Sequence, residues 1–491
     1  MSDFNRHLES LPQEQRVGIE RATRRQFLGS LSLGLGAASL SQWMTSEATA
    51  SNRLVTGMSP EPPTPNFAPK AKRVIFLCMA GGPSHLETFD PKPRLQELDG
   101  QTMPESFTRG LPIAQLQGKP LTCLGSRASF RQHGRSGQWI SDHLPHIATC
   151  ADDIAIVNSM VTEQINHDPA HTFMNTGSII PGRPSMGSWV NYGLGSMNQD
   201  LPGFVVLTSV GGRNPQPIAA RQWSSGFLPS RLQGVEFQGR GEAVHYVRNP
   251  PGITTDCQSH LVDAVRDLDR LRHEQVLDPE IESRIAQHEL AFRMQTSVPE
   301  LMDLSGESPE TLEMYGATPG DGSFASNCLH ARRLAERGVR FIHLYHRGWD
   351  HHGGLKQYMD VCCRHCDQPT AALITDLKRR GMLEDTLIVW GGEFGRTPMS
   401  QGGGDDPGRD HHIKGFSMFL AGGGTRGGLT HGATDELGYH AIEDVVHVRD
   451  LHATMLHLLG LDHDRLAVRH QGLDTRLTGV EPARVIKSLL R

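Results

Sequence analysis

The stretch LIVWGGEFGRTP at residues 387–398 has the pattern of a buried strand that ends in polar chemistry. It begins as an apolar run with β-branched residues, and the glycines at its end are followed by an acid, Glu393, and then by an arginine. Open α/β sheets have this pattern, because ligands bind beyond the carboxyl ends of their parallel strands. The sequence GRDHH at residues 408–412 adds Asp410 and His411 after a Gly/Asp-rich loop. We therefore predict a strand that leads into one wall of a cleft.

The segment before this stretch predicts a βαβ unit. Residues 339–345 form an apolar run of strand length, residues 357–380 have a long helical pattern, and residues 386–390 return to a strand. Two strands joined by a crossover helix in one sheet are parallel. The loops that carry Asp350 and Glu393 are therefore expected at the same edge of a parallel sheet.

Other segments predict the rest of an α/β fold. Further strands are predicted at residues 73–79, 153–157, 201–208 and 416–420. Helices are predicted at residues 258–293, 327–337 and 450–459. One more helix opens at the sequence NHDPAH, where we expect Asp168 as the N-cap and Pro169 at the first helical position.

Three predicted strand ends carry clustered oxygen and imidazole groups. The candidate metal ligands are Glu87 and Asp90 after the first strand, Asp350 and His352 in the second loop, and Glu393, Asp410 and His411 in the opening stretch. A mixed set of carboxylates and histidines suits zinc, manganese, iron or calcium. A single histidine in a chain with 26 of them is more often a surface or core residue, so the prediction depends on the clusters meeting. We predict a divalent metal, with Zn favoured and Ca, Mg or Mn as alternatives.

The composition excludes nucleic acid as a partner. The 491-residue chain has a formal net charge of -6, and its acids and bases are dispersed along the sequence. Its eight cysteines form no evident disulfide framework. Cys363 and Cys366 have the C-x-x-C spacing, which we interpret as thiols packed in a helix, with a redox pair as the alternative.

The N-terminus predicts export. Residues 23–28 read TRRQFL, a twin-arginine pattern, and a short apolar run leads from there to a small-x-small cleavage site at residues 48–50. We expect a signal region at residues 1–50, a Pro/Ser-rich linker at residues 51–72, and a periplasmic or secreted mature chain without a stable membrane span. The alternative is that the N-terminus is retained as an anchor.

Several motifs, taken together, resemble those of one known family. They are GGPSHLETFDPKP at residues 81–93, NHDPAHTFMNTGSIIPGRPSMGSWV at 166–190, GWDHH at 348–352, GGEFGRTP at 391–398, GRDHH at 408–412 and DLHATMLHLLGLDH at 450–463. The series is similar to that of the exported domain-of-unknown-function 1501 family, a sulfatase-like branch of the alkaline phosphatase superfamily. The resemblance implies a single alkaline-phosphatase-like α/β/α sandwich at residues 73–491, with a mostly parallel central sheet, inserted loops and an insertion near residues 212–325.

The resemblance also implies a site with two metals beside a nucleophile. The superfamily's first aspartate falls among Glu87 and Asp90, its Asp-x-x-x-His pair on Asp350 and His352, and its last histidine on His411 or His412. Its Asp-His-Gly ligands fall on Glu393-Phe394-Gly395, so one histidine is missing. Arg396 would then be free to pair with an anionic oxygen.

The position of the nucleophile falls on a histidine. In the superfamily, this residue stands nine positions before the threonine of a Thr-Gly pair, and here that position is His167. The absence of a C-x-P-x-R motif excludes a formylglycine sulfatase. We expect His167 to act as nucleophile, base or ligand. Ser84, Asn166 and His171 are expected to contact the substrate.

Two functions of different classes follow from these observations. The first is a metal-dependent hydrolase of phosphate or sulfate esters, whose substrate is an anionic small molecule or glycan. The second is a non-catalytic protein that holds sulfated or phosphorylated glycans in the same cleft, which the missing nucleophile favours. A redox role for Cys363 and Cys366 is a third possibility.

Overall fold

The first strand of the sheet, β1 (Arg73–Ala80), is buried on both of its faces. Successive side chains of a strand point to opposite sides, so a continuously apolar strand requires cover on both. One hydrophobic core receives Ile75, Leu77 and Met79, and the other receives Val74, Phe76, Cys78 and Ala80. The sheet therefore lies between two layers of helices.

The structure is a computed structural model that describes residues 65–111, 113–209, 211–212, 216, 218–244, 249, 252–276 and 279–491. The strands after β1 are β2 (Phe130–His133), β3 (Gln138–Ser141), β4 (Ile154–Val161), β5 (Phe204–Ser209), β6 (Val235–Phe237), β7 (Phe341–Arg347), β8 (Thr386–Gly391), β9 (Gly395–Gln401), β10 (Gly408–His412), β11 (Phe416–Ala421), β12 (Leu429–His431), β13 (Ala433–Thr434), β14 (Ala441–Glu443), β15 (Val446–His447), β16 (Ala467–His470) and β17 (Leu473–Arg476). The helices are α1 (Pro93–Glu97), α2 (Glu105–Thr108), α3 (Pro145–Thr149), α4 (His167–Thr176), α5 (Met186–Leu194), α6 (Thr255–Val276), α7 (Pro279–Met302), α8 (Pro309–Tyr315), α9 (Phe324–Glu336), α10 (Leu355–Arg379) and α11 (Val448–Leu458).

The central sheet is mostly parallel. Its strand order is β12-β4-β11-β8-β1-β7-β5-β6, and β15 also pairs with β4. β11 runs antiparallel to β4 and β8, whereas the other pairings of this sheet are parallel. The predicted βαβ unit is confirmed, because β7 and β8 are joined through α10 and both are parallel to β1, which lies between them.

Helices cover the two faces of this sheet. Side chains of α3, α7, α9 and α10 pack into the core that contains Ile75. Side chains of α4, α5 and α11 pack into the core that contains Phe76. The predicted α/β/α sandwich with a mostly parallel central sheet is therefore confirmed.

The helix at the motif NHDPAH begins earlier than predicted. It starts at His167, and its N-cap is Asn166, which has an extended backbone, so Asp168 and Pro169 lie within the first turn. Asparagine and aspartate are about equally good N-caps, which is why the sequence did not separate the two positions. The consequence for the site is that His167 is the first helical residue.

Residues 212–325, where an insertion was predicted, contain two long helices that pack along each other, α6 and α7. In α7, Met294, Val298 and Leu301 anchor the pair in a hydrophobic core. Among the described residues, no helix is long and apolar enough to span a membrane. The predicted signal region and residues 51–64 of the predicted linker lie outside the described residues.

Candidate metal centre

The loops after three parallel strands and one β-hairpin place the polar groups of the site. The loop after β7 carries Asp350 and His352, the residue Glu393 follows β8, and α4 follows β4 with His167 at its start. The hairpin of β9 and β10 pairs Arg396 directly with His411. Segments that are distant in sequence therefore meet at the carboxyl edge of the sheet, as the strand pattern predicts.

One carboxylate oxygen, Asp350 Oδ1, is the centre of this cluster. It lies 2.9 Å from His352 Nε2, 3.2 Å from His411 Nε2 and 3.2 Å from His167 Nε2. The Nη2 atom of Arg396 donates to the same oxygen at 2.7 Å. Without the arginine, the group contains Asp350, His167, His352 and His411. Each contributes one ligand atom, and their spacing suits a metal ion.

The contacts of the Nδ1 atoms determine the tautomers of the three histidines. The Nδ1 atom of His411 lies 2.7 Å from the carbonyl oxygen of Ile165, and Nδ1 of His352 contacts the amide oxygen of Gln401. The Nδ1 atom of His167 lies 2.6 Å from Glu393 Oε1. Since each of these Nδ1 atoms faces an acceptor, it carries the hydrogen, and each Nε2 directs a lone pair towards Asp350.

Three imidazole nitrogens and a carboxylate oxygen that lie this close together can hold a cation between them. In a tetrahedral site with bonds of about 2.0–2.1 Å, ligand atoms are about 3.3 Å apart. The separations of 2.9–3.2 Å between Asp350 Oδ1 and the imidazole nitrogens are close to this value. The alternative of three protonated rings is unfavourable, because the ring centroids of His167 and His352 lie only 4.4 Å and 4.7 Å from that of His411. The residues present therefore fit a divalent metal.

A second, more deeply buried group adjoins the first through His167. It contains Glu393 and His171 in addition to His167, and it also has the spacing of metal ligands. The Nε2 atom of His171 lies 3.3 Å from Glu393 Oε1, yet neither ring nitrogen of this buried histidine makes a hydrogen bond of good geometry to a described residue. The backbone N–H of Gly81 donates to both oxygens of Glu393, at 3.0 Å and 3.2 Å.

Position 81 requires glycine, because its backbone lies close to the loop after β7 that carries Asp350. Its φ of +120° is unfavourable for other residues, and an added Cβ would lie 2.5 Å from the backbone nitrogen of Asp350. This contact joins the loop after β1 to the loop after β7 without a side chain.

The surroundings shift the pKa values of these groups in opposite directions. Burial alone would raise the pKa of Asp350, but the adjacent imidazoles of His167, His352 and His411 and the charge of Arg396 hold it well below its usual range. Burial likewise opposes ionisation of Glu393, yet the charges of His171 and His167 lower its pKa to about 2. Burial opposes the charged form of His167, but the adjacent carboxylates of Asp350 and Glu393 outweigh it and raise the pKa of this histidine. Burial lowers the pKa of His411 and of His171. The two carboxylates are thus ionised and ready to bind a cation.

Other predicted site residues lie in different environments. Glu87 is fully buried and forms an ion pair with Arg409, in which Nη2 lies 2.7 Å from Oε1. Asp90 pairs with Lys92 at 2.9 Å and also accepts from Thr434. The carboxylate of Asp410 accepts backbone N–H groups of Leu116 and His411, at 2.8 Å and 2.9 Å. None of these three acids belongs to the two groups of metal-ligand spacing among the described residues.

The remaining predicted residues have structural positions near the site. Ser84 is buried before the 3-10 turn His85–Glu87, and Asn166 is the exposed N-cap of α4. Arg396 is buried and donates to the carbonyl oxygens of Gly81, Gly82 and Arg409 as well as to Asp350. Its guanidinium therefore holds the metal loop against the loop after β1.

Two groups at the site were not predicted from the sequence. Gln401 fixes the tautomer of His352, and the amide of Gln216 donates to Asp350 Oδ2 at 2.9 Å. Both glutamines lie outside the quoted motifs, so no sequence pattern indicated them. Phe394 occupies the place of the expected second histidine, and its ring lies 4.9 Å from that of His167 and 4.6 Å from that of His411.

The sequence matches the model of one protein family, described as "Protein of unknown function (DUF1501)", over residues 71–490. A comparison with curated proteins finds no match.

Solved structures resemble the chain at low identity. The lipoteichoic acid synthase LtaP from Listeria monocytogenes has a TM-score of 0.36 and 10% identity, covering 84% of this chain and 75% of that chain. A mutant of TAB5 alkaline phosphatase with Mg bound has a TM-score of 0.32 and 11% identity, covering 82% and 100% respectively. The C-terminal periplasmic domain of EcEptC from Escherichia coli, in complex with Zn, has a TM-score of 0.35 and 10% identity, covering 82% and 88%.

Proposed function

We propose that this chain, which belongs to the DUF1501 family, is an exported, metal-dependent hydrolase of phosphate or sulfate esters in the alkaline phosphatase superfamily. The observation that carries this proposal is the convergence of three imidazole Nε2 atoms and a partly buried carboxylate at the carboxyl edge of the sheet. Export is supported by the twin-arginine pattern at residues 23–28.

The ligands that we assign are Asp350, His352 and His411, with His167 beside them. A divalent cation held there supplies Lewis-acid polarisation of an ester oxygen and favours ionisation of water. Zinc suits a site of one carboxylate and several imidazoles better than Ca or Mg, which prefer oxygen ligands. Side-chain exposures of 15% for Asp350 and 24% for His352 leave one side of the group accessible to a substrate.

His167 is the residue to which we assign proton transfer. The Glu393 carboxylate binds its Nδ1 hydrogen and stabilises the charged ring, in the manner of a carboxylate–histidine pair. This leaves Nε2 to accept a proton from an attacking water, close to Asp350. Because α4 begins at His167, the positive end of the helix dipole also lies at this point and favours an anionic substrate.

A direct experiment tests this proposal. The purified chain is analysed for bound metal, then assayed on p-nitrophenyl phosphate, bis-p-nitrophenyl phosphate and p-nitrophenyl sulfate before and after treatment with a chelator. We expect hydrolysis of at least one ester, loss of activity with the chelator, and recovery with Zn²⁺ or Mn²⁺. A protein without metal and without turnover on every ester would contradict the proposal.

A second candidate function is the binding of anionic glycans without catalysis. It is favoured by the residue at the position of the superfamily's nucleophile, which is His167 and not a Ser, Thr or formylglycine-forming Cys. His167→Ala distinguishes the two functions. The hydrolase loses turnover but retains affinity for a sulfated or phosphorylated glycan, whereas the binding protein shows saturable binding in both forms and turnover in neither.

A further inference from the structure

The long helix α6 exposes a line of apolar side chains on its outer surface. The exposed fractions of Leu261, Leu268 and Leu271 are 56%, 66% and 58%. Cys257 and Ala264 are exposed on the same line. Isolated exposed leucines are common on protein surfaces, but a continuous line of them on one helix indicates a contact surface.

The spacing of these residues is that of a two-stranded coiled coil. Positions 257, 261, 264, 268 and 271 alternate by four and three residues, which are the d and a positions of a heptad repeat. At about 100° per residue they fall within an arc of about 80° on the helix surface. The helix packs along α7, which is itself anchored in the core, so α6 has a fixed position from which this face points outwards.

The charged residues beside the apolar line of α6 indicate which partner it binds. In the same heptad numbering, Asp267 is at a g position and Arg272 at an e position. In a parallel pair of such helices, a g residue faces the e residue five positions later in the partner. Asp267 of each copy then faces Arg272 of the partner subunit, which gives two attractive contacts, whereas an antiparallel pair does not bring these positions together.

The charges also argue against a lipid surface as the occupant. The polar positions of the central part of the helix contain three acids, Asp263, Asp267 and Asp269, and three bases, Arg266, Arg270 and Arg272. A helix that lies on an anionic membrane has an excess of basic residues on its polar side. The balanced charges of α6 suit a protein partner of the same composition.

From this arrangement we propose that two copies of the chain associate in parallel through α6, with Leu261, Leu268 and Leu271 forming the seam. The helix spans three heptads, so the association is reversible and depends on concentration. Cys257 of each copy lies at the N-terminal end of the seam and faces Cys257 of the partner subunit. The two active sites would be held in one particle with a common orientation.

Sedimentation velocity of the full chain over a range of micromolar concentrations tests the association. We expect a monomer–dimer equilibrium for the natural sequence and a monomer for Leu261→Lys combined with Leu268→Lys, with unchanged circular dichroism and melting temperature. A chain that stays monomeric, or a dimer that both substitutions leave intact, overturns the proposal. Binding of the natural chain to phosphatidylcholine or phosphatidylglycerol vesicles that is lost in the same variant also overturns it.

Charge exchange tests the parallel direction. Asp267→Arg and Arg272→Asp should each weaken dimerisation by about tenfold or more, because like charges then face each other. The double variant should restore it, and Arg284→Asp, which changes an exposed arginine of α7 outside the seam, should have little effect. Cys257 is the exposed cysteine among the eight, so a short bismaleimide should crosslink the natural dimer and not Cys257→Ser. Failure of the double variant to restore the dimer, or of the crosslink to form, overturns the parallel arrangement.

Discussion

A fully buried ion pair, Glu87 with Arg409, and the partly buried cluster at Asp350 lie next to each other at the edge of the sheet, and their charged groups have different kinds of partner. Arg409 donates to Glu87 through Nε and Nη2 and to the carbonyl oxygens of Leu124, Gly125 and Thr397. The cluster at Asp350 instead brings several acceptor atoms together, with Arg396 as its fixed cation. Arg396 also connects the two groups, because its Nη1 donates to the carbonyl oxygen of Arg409.

The difference separates a structural charge from a functional one. A buried ion pair in which every donor has an acceptor is complete without a ligand, and its role is to fix the fold. A partly buried group with an excess of acceptor atoms is stabilised when a cation is added. Both groups contain a carboxylate that the sequence marked as a candidate ligand, Glu87 in one and Asp350 in the other, so residue type alone did not distinguish them.

The strongest test of this comparison is Asp350→Asn. We expect turnover to fall by about 10³-fold or more, since the substitution removes the only carboxylate of the first metal group. The melting temperature of the metal-free protein should change little, because the amide oxygen still accepts from Arg396. Metal content, measured by mass spectrometry, should fall together with turnover.

The matched control for that substitution is Asp405→Asn. It removes the same charge at an exposed position in the loop between β9 and β10. If Asp350→Asn keeps a full equivalent of metal, or if the control loses metal to the same extent, the assignment of Asp350 as the central ligand is wrong.

The opposite outcome is expected for Glu87→Gln. This substitution leaves the fully buried guanidinium of Arg409 without its counter-charge, which should lower the free energy of unfolding by about 3–5 kcal/mol. Metal content and turnover per folded molecule should stay the same. Urea denaturation measures the change in stability.

Replacing the whole pair with Glu87→Leu and Arg409→Met should restore part of the lost stability, because no unpaired charge is then buried. Loss of metal from the folded Glu87→Gln variant would instead place Glu87 in the metal centre, and the comparison above would fail.

The elements of the fold were predictable because they depend on local patterns. The runs that became β1, β7, β8 and β11 are short, apolar and bounded by glycine or polar loops, so their type was clear from the sequence. Their common edge followed from the parallel βαβ rule, and Asp350, His352, Glu393 and His411 were predicted on that basis.

The partners within the site were not predictable, because they depend on distances between remote segments. Glu87 and Arg409 are separated by 322 positions, and nothing local indicates that they pair. The same holds for Gln216 and Gln401, which reach the metal loop from separate parts of the chain. His171, which was expected to contact the substrate, lies in the second group with His167 and Glu393, and its sequence neighbours did not indicate this position.

A smaller effect is expected from His343, a buried histidine that belongs to neither group of metal-ligand spacing among the described residues. His343 stacks between Phe76 and Tyr345, and burial lowers its pKa to about 3. The unfolded chain binds its proton near pH 6.5, so this histidine favours folding fully only above that pH, and the contribution is lost as the pH falls. Between pH 7 and pH 5 the loss is about 2 kcal/mol for one such residue.

The substitution His343→Phe should therefore flatten the pH dependence of the unfolding free energy of the metal-free protein. The ring stacking is retained, and the Nε2 atom that is replaced makes no hydrogen bond to a described residue. His288→Gln, at an exposed position of α7, is the control and should leave the slope unchanged. An unaltered slope in His343→Phe would show that this histidine is protonated in the folded state.

The smallest effect is expected at Gln401, which contacts the metal group only through His352. Its amide oxygen accepts the Nδ1 hydrogen of that ring and so presents Nε2 to the cation. Gln401→Leu should weaken metal affinity by about tenfold, since the ring loses its orientation but the other ligands remain. Gln401→Glu keeps an acceptor at this position and should retain most of the affinity, as measured by competition with a chromogenic chelator. Equal metal affinities for the leucine variant and the natural chain would mean that the cation alone orients His352. Only two histidines, and not three, would then be held in place at Asp350 before the metal binds.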